Sequence, residues 1–542
     1  MTTRFVGFRG LSFYAIRQAG PLRRTTPVVL LLIALVGLSL LAGLVAVVYA
    51  STSDAGERSG PSLATFSPLG LSSTAHRGSS PAPQVTLRVE PTRTGSMFSE
   101  GAVGLSVETA ELGTQDFSVA HRSLVSLMLL LGPGVLRIGG NSLDESWWTS
   151  RNESPPAWTT NVVTPADLLR LRDLLLVTHW RAILGVDLGH FDPMRAGDEA
   201  RFAARTLGSR LIGFEVGNEP DGYSGVFPGL RPRTYSVTSY LQEVAAYTAA
   251  MRAQAPAMHL YGPDASTIGW LRSIAVNGQT SIAVITEHFY PTTYGFSSTK
   301  CPTTPLPTAL ALLSPQVRQQ ESADLEALRA AGRIAHRATR ISETNNSTSS
   351  CDAGPDIGPA FASALWSLDW ALRSAESGVS GINFHGWVGD CGPTTFSPIC
   401  ERSAAGTTRG LAVARPEYYG LFAARQLEGG RFVSVQLGRL AAGGDLTAYA
   451  TLHSGHVITV AVDNFATADG VALSLQVPGY TRATEEVLAA PSINSTDGVT
   501  FGNASFSTTG GLRVKRTTTL KINGRFPLPV APASAYIVTL YR

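Results

Sequence analysis

Short apolar runs rich in Val, Ile and Leu recur from residue 101 to residue 387, and stretches of helical spacing separate them. The runs cover 101–108, 134–140, 181–188, 211–219, 258–264, 282–290, 337–343 and 381–387. Among the intervening helices, one opens with Thr164 as cap and Pro165 at the first helical position, ahead of ADLLRLRDLLLV. Others cover 323–337 and 360–375. This alternation predicts a (β/α)8 TIM barrel. A doubly wound open sheet is the competing arrangement, but it more naturally carries a Gly-rich phosphate turn, and no GxGxxG follows a strand here. From about residue 430 the period changes to two. FVSVQLG, LTAYATLH, HVITVAVDN, VALSLQVPG, LRVKRTTTLKIN and SAYIVTLYR predict an all-β sandwich. PQVTLRVEP (83–91) alternates in the same way and is placed to complete that sheet.

The resulting organisation has a barrel over 97–414 and a β-sandwich over 415–542, to which 84–96 contributes a strand. Residues 27–50 carry no charge, and at 1.5 Å per residue they span ~36 Å, enough for a ~30 Å hydrocarbon core. The preceding 1–26 hold Arg4, Arg9, Arg17, Arg23 and Arg24 and no acid, which places that side in the cytoplasm. The expectation is a type II membrane anchor with the body extracellular or lumenal. The alternative is secretion after cleavage near Val48-Tyr49-Ala50. Residues 51–83, rich in Ser, Thr, Pro and Gly, read as a flexible stalk.

Composition narrows the partners. The formal charge of +3 is concentrated in the N-terminal arginines, so the body carries no footprint for nucleic acid. All 4 cysteines lie beyond the apolar segment, in the half expected outside, and two disulfides are expected: Cys391–Cys400 by proximity and Cys301–Cys351 by default. No CxxC or HxxxH spacing supports zinc. Sequons at Asn152, Asn345, Asn346, Asn494 and Asn503 fit a glycoprotein.

Catalytic side chains of such barrels project from the C-terminal ends of the strands. The fourth run ends Gly217-Asn218-Glu219-Pro220, and the seventh ends Ser342-Glu343-Thr344. Two carboxylates on opposite strands can straddle a glycosidic bond, one protonating the leaving oxygen and the other capturing the oxocarbenium-like centre. Tyr290 and His288 close the sixth run, and Tyr290 is placed to hold the charge of Glu343 by a hydrogen bond. His385 and Trp387 close the eighth, with Trp387 as a platform for a sugar face. Taken singly, each of these residues is more often scaffold than ligand, and their joint occurrence on four strands carries the functional reading. Glu108 at the end of the first run and Asn141 after the second join Asn218, His288, Tyr290 and Trp387 as substrate-binding candidates. No metal or cofactor enters this chemistry.

With those residues in view, the chain resembles a clan A retaining glycosidase, and within that clan glycoside hydrolase family 79, the β-glucuronidase and heparanase group. The resemblance runs from about 84 to the C-terminus. LRIGGNSLD (136–144) is similar to the family's sugar-binding stretch, GFEVGNEPD (213–221) to its acid/base strand, and RISETNN (340–346) to its nucleophile strand. ASALWSLDW, GINFHGW and RPEYYGLFAA (415–424) resemble the run into its final β-domain. The resemblance implies Glu219 as general acid/base, Glu343 as nucleophile, and a carbohydrate substrate cleaved with retention. Family members acting on glucuronates commonly carry a Tyr and then a Gly shortly after the nucleophile, whereas here Asn345 to Cys351 contain neither. The body also lacks the basic clusters expected for heparan sulfate, which ranks an exo-acting, glucuronidase-like hydrolase above an endo-acting one. The alternatives are a clan A β-glycosidase acting on a neutral sugar and an inactive, membrane-anchored carbohydrate-binding protein.

The topology has a direct test. Protease added outside intact cells, or inside the lumen of vesicles, is expected to digest the body, and protection there contradicts an anchor oriented by the five arginines.

Overall fold

The computed structural model describes residues 85–542 except 115, 226–228, 279–280, 294–307, 349–356, 390, 393–395, 403–409, 508–510 and 512–518. The expected anchor, the stalk, and the Cys301–Cys351 pair lie outside the described residues. No helix among the described residues is long and apolar enough to cross a membrane.

Eight parallel strands close into a barrel: Val103–Glu108, Val135–Gly139, Arg181–Val186, Leu211–Val216, Leu260–Ala265, Ile282–Phe289, Ala338–Thr344 and Ile382–Gly386. They are called barrel strands one to eight below. The first pairs with the eighth, Ile382 opposite Val103, so no edge remains. The helices form for local reasons. Helix Pro165–Thr178 begins with a capping box, in which the Thr164 backbone N–H donates to Asp167 at 2.7 Å. Its Leu168, Leu171, Leu174 and Leu175 are buried on one face, while Leu169 and Leu176 stay exposed on the other.

Polar side chains share the barrel interior with the apolar ones. Arg340 donates to the Asn383 side chain at 2.7 Å, and the Asn383 amide donates to the carbonyls of Leu105 and Val135, both at 2.9 Å. Gly213 leaves room for the Tyr261 ring, which a methyl group there would strike. This polar layer lies below the strand ends and connects the strands sideways with hydrogen bonds.

The C-terminal region forms one ten-stranded sheet, into which Val85–Met97 inserts between Arg431–Leu437 (antiparallel) and Val471–Gln476 (parallel). The period of two sorts its side chains between two cores. Ala450, Val460, Val462 and Val538 fill the sandwich interior, while the alternate Tyr449, Ala461 and Ile537 pack into the barrel's cluster. Helix Ala362–Glu376 lies at that junction and is buried almost throughout. The Tyr449 hydroxyl donates to its Asp369 at 2.6 Å and ties the two regions together.

Two strands escaped the alternation rule. Arg482–Ala489 carries Glu485 and Glu486 in its middle. Arg525–Val530 contains Pro527 and Pro529; it forms the end of the sheet order, where a missing N–H costs no ladder bond, and both prolines face outward. Cys391 and Cys400 are joined, with Cα atoms 5.0 Å apart. The sequon reading needs correction at Asn345 and Asn346. Both are fully buried, and the Asn345 amide donates to the His385 carbonyl at 2.6 Å, so these asparagines cannot receive a glycan on the folded protein. Asn152, Asn494 and Asn503 are exposed.

One buried acid pair sets a pH dependence of stability. Glu287 on barrel strand six is fully buried and meets Asp324 of helix Pro315–Ala335. Burial first, and then the facing Asp324 carboxyl, push Glu287 well above the ordinary carboxylate range, and burial pushes Asp324 up to about 6 although its hydrogen bond with Glu287 opposes the rise. Folded pKa values above the unfolded ones mean that this contribution is complete in acid and is lost as pH rises through about 6. Glu287→Gln is expected to raise the unfolding temperature by about 1–2 °C at pH 7.5 and to leave it almost unchanged at pH 4.5. Equal shifts in calorimetry at the two pH values contradict the raised carboxyl pKa of Glu287.

Candidate active site

The strand ends converge on a charged cluster. Glu343 is the penultimate residue of barrel strand seven, and His288 and Tyr290 lie at the end of strand six. After strand four the chain turns through Gly217 and Glu219, both at positive φ, with Glu219 at φ 46° and ψ 52°. A non-glycine residue in that region costs about 1–3 kcal/mol, and the cost is met by a fixed framework. The Glu219 amide donates to the Asp264 carbonyl at 3.0 Å, and Pro220 starts a 3-10 turn immediately afterwards.

At the centre is Arg137 of barrel strand two, fully buried. Its guanidinium donates to Glu215 at 2.7 Å, to Glu343 Oε2 at 2.5 Å and to the Asn218 side-chain oxygen at 2.9 Å. Tyr290 donates its hydroxyl proton to Glu343 Oε1 at 2.7 Å. Both oxygens of Glu343 are therefore held. Asn218 in turn donates to Asn141 Oδ1 at 3.0 Å. His288 Nδ1 lies 3.0 Å from Glu219 Oε1 and 3.9 Å from Glu343, and its Nε2 lies 3.7 Å from Asp264.

The electrostatics follow from these contacts. Burial pulls Glu343 upward, but His385, His288, Arg137 and the Tyr290 hydrogen bond outweigh it and hold the carboxyl far below its usual range. Burial alone lowers the His288 imidazole, yet Glu343, Asp264 and Glu219 push it up to about 10. Burial and the neighbouring Glu343 keep the Tyr290 phenol protonated well beyond neutral pH. Ligand atoms of Glu219, His288 and Glu343 lie within 4.8 Å of one another. That spacing suits a cation geometrically, but both Glu343 oxygens already accept hydrogen bonds and the imidazole is held in its cationic form. The donor set fits proton transfer and carboxylate chemistry better than metal binding.

The remaining sequence candidates surround this cluster. Glu108 accepts from the Ser142 amide at 2.8 Å and hydroxyl at 2.6 Å and lies 3.5 Å from His385 Nε2. His385 Nδ1 is 3.5 Å from Glu343 Oε2. Trp387 is half-buried, and both its backbone N–H and its carbonyl bond to the Ser397 hydroxyl. No described hydrogen bond joins it to Glu219 or Glu343. Sequence reading missed Arg137, Asp264 and Phe396. Arg137 left a trace, as the one charge inside the apolar run Val135–Gly139, where a fully buried arginine requires buried partners. Phe396 packs against the rings of Tyr290 and His385 with centroids 6.1 Å away in each case, and nothing in its local sequence marks it.

No protein-family model and no curated protein matches the chain. Solved structures do. It is similar to a 4-O-α-L-rhamnosyl-β-D-glucuronidase from Fusarium oxysporum at TM-score 0.64 and 17% identity, covering 84% of this chain and 99% of that one. It is similar to an α-L-arabinofuranosidase from Thermotoga maritima at TM-score 0.60 and 12% identity, covering 84% and 99%. A family 44 xyloglucanase from Paenibacillus polymyxa gives TM-score 0.57 and 11% identity, covering 85% and 100%. The described chain shares with these structures their fold, a closed (β/α)8 barrel joined to a β-sandwich.

Proposed function

We propose that the protein is a retaining glycoside hydrolase in which Glu343 is the nucleophile and Glu219 the general acid/base. The observation that carries this reading is the pair of carboxyl groups with oxygens within 4.8 Å of each other. Retaining enzymes need their carboxyl groups about 5–5.5 Å apart, whereas inverting enzymes leave roughly 6.5–9.5 Å for a water. Glu343 Oε attacks the anomeric carbon as the glycosidic C–O bond breaks, and the leaving oxygen takes a proton from Glu219. A water then gives its proton to the Glu219 carboxylate and attacks the anomeric carbon, releasing Glu343. Arg137 and Tyr290 keep Glu343 ionised and aimed; Tyr290 remains a donor because its own proton is tightly held. His288 shares a hydrogen bond with Glu219 and places a proton next to the acid.

For the glycone, a terminal β-glucuronate is the reading that the motif resemblance and the likeness to the Fusarium enzyme support. Glu108 favours a second reading, a neutral sugar. Its carboxylate lies beside His385 on the flank of Glu343 away from the His288–Glu219 contact, where it repels a uronate and accepts from hydroxyls. Membrane anchoring through residues 27–50 remains part of the proposal.

Four outcomes are expected. In NMR of the first product, hydrolysis of an aryl β-glycoside panel that includes a glucuronide, a glucoside and a xyloside releases the β-anomer; initial α-anomer contradicts the mechanism. Glu343→Gln abolishes turnover, with a loss on the order of 10⁵-fold. Glu219→Ala costs 10²–10⁴-fold, as general acid catalysis does, on poor leaving groups. It spares highly acidic leaving groups and is rescued by azide as a β-glycosyl azide. Arg137→Met leaves Glu215 and Glu343 facing each other without their shared cation, and kcat falls on every substrate by about 10²–10³-fold. A change confined to a rise in KM contradicts the role given to Arg137.

A further inference from the structure

Beyond barrel strand eight, described residues on the two sides of the Cys391–Cys400 loop bond to one another beside the charged cluster. Trp387 N–H donates to Ser397 Oγ at 2.7 Å, and Ser397 Oγ donates to the Trp387 carbonyl at 3.1 Å. The amides of Val388 and Gly389 donate to buried Glu111 at 2.6 and 3.0 Å. Cys391 N–H donates to the Glu401 carbonyl at 3.1 Å, and Glu401 N–H to the Val388 carbonyl at 2.7 Å. The Cys391–Cys400 disulfide locks this return. Within the loop that the disulfide closes lies Phe396, half-buried, edge-on to Tyr290 and tilted against His385.

The position of that ring relative to the two carboxyl groups gives it a function. The general acid lies on the leaving-group side of the scissile bond, and Glu219 sits on the His288 side of Glu343. The sugar ring bonded through its anomeric carbon to Glu343 therefore extends the other way, toward His385, which faces the second Glu343 oxygen, with Tyr290 at its edge on the first. Phe396 is the aromatic group that backs both of these residues. A sugar ring presents hydroxyls at its rim and C–H groups on its faces, so a side pocket of charged groups with one aromatic wall suits it.

We propose that Phe396 is the apolar wall of the glycone pocket and that the Cys391–Cys400 disulfide holds it there, making Phe396 a specificity-determining residue. This inference rests on the glycosidase reading above. In it, the disulfide acts on binding through the position of one ring and does not take part in bond making or breaking.

The test uses the full-length protein and the aryl glycoside that it hydrolyses best. Phe396→Ala is expected to raise KM about tenfold, with kcat changed by less than about threefold, the effect of losing one aromatic contact to the bound sugar. Phe396→Tyr restores the wild-type KM. Reduction of the folded wild type by dithiothreitol, with near-ultraviolet circular dichroism showing that it stays folded, reproduces the rise in KM. In the Phe396→Ala background, reduction adds less than about twofold, because the ring through which the disulfide acts is gone. Where reduction unfolds the protein, the Phe396→Ala and Phe396→Tyr pair alone decides the wall. An unchanged KM in Phe396→Ala overturns the wall, and fully additive effects of reduction and Phe396→Ala overturn the link to the disulfide. A wild type inactive on every glycoside sinks the glycosidase reading and this inference together, whereas an active wild type with an unaltered Phe396→Ala variant sinks this inference alone.

Discussion

A buried guanidinium organises the charged cluster at the strand ends of this protein. Arg137 has no contact with solvent, so its charge must be met entirely by side chains, and Glu215, Glu343 and Asn218 meet it. These partners come from barrel strands four and seven and the turn after strand four, while Arg137 itself comes from strand two. One charged group thereby fixes the relative position of three strand ends. Losing a partner leaves the guanidinium with an unmet donor in a low-dielectric interior, which is costly and favours keeping all three in place. The left-handed turn at Glu219 is tolerated on the same framework, since Asn218 beside it is anchored to Arg137 and Asn141.

The rest of the molecule supports that arrangement from below and behind. The Arg340–Asn383 layer ties strands under the cluster, and the closed hydrogen-bond ladder prevents any strand from sliding. Helix Ala362–Glu376 is buried between barrel and sheet, which makes the β-sandwich part of the barrel's own packing. Charges around Glu343 divide the labour. Tyr290 and Arg137 bond to its oxygens directly, while His288 and His385 add positive potential on either flank.

Much of this was legible in the sequence because it follows from periodicity. Barrel strands, the capped helix at Thr164 and the inserted strand near residue 85 all announce themselves through alternation or capping residues. The convergence of Glu219, Glu343, Tyr290, His288 and Asn218 was legible because side chains at barrel strand ends project into one mouth. What was hidden depends on tertiary proximity. Arg137 reads as one charge in a strand until its distant partners are in place. The strands at Arg482–Ala489 and Arg525–Val530 were hidden by acidic residues and prolines, which an edge or a half-exposed face tolerates. Asn345 and Asn346 read as sequons, since the sequence alone does not reveal that the chain there turns inward to bond His385 and approach Glu417.

The central claim is that Glu343 becomes covalently attached to the sugar. The measurement that tests it most directly is peptide mapping by mass spectrometry after incubation with an activated 2-deoxy-2-fluoro glycoside of the preferred sugar, which slows release of the intermediate. The account predicts one adduct per protein on the peptide containing Glu343, and none on the Glu343→Gln variant. An adduct on Glu219 or elsewhere, or turnover with no adduct at any time point, contradicts it.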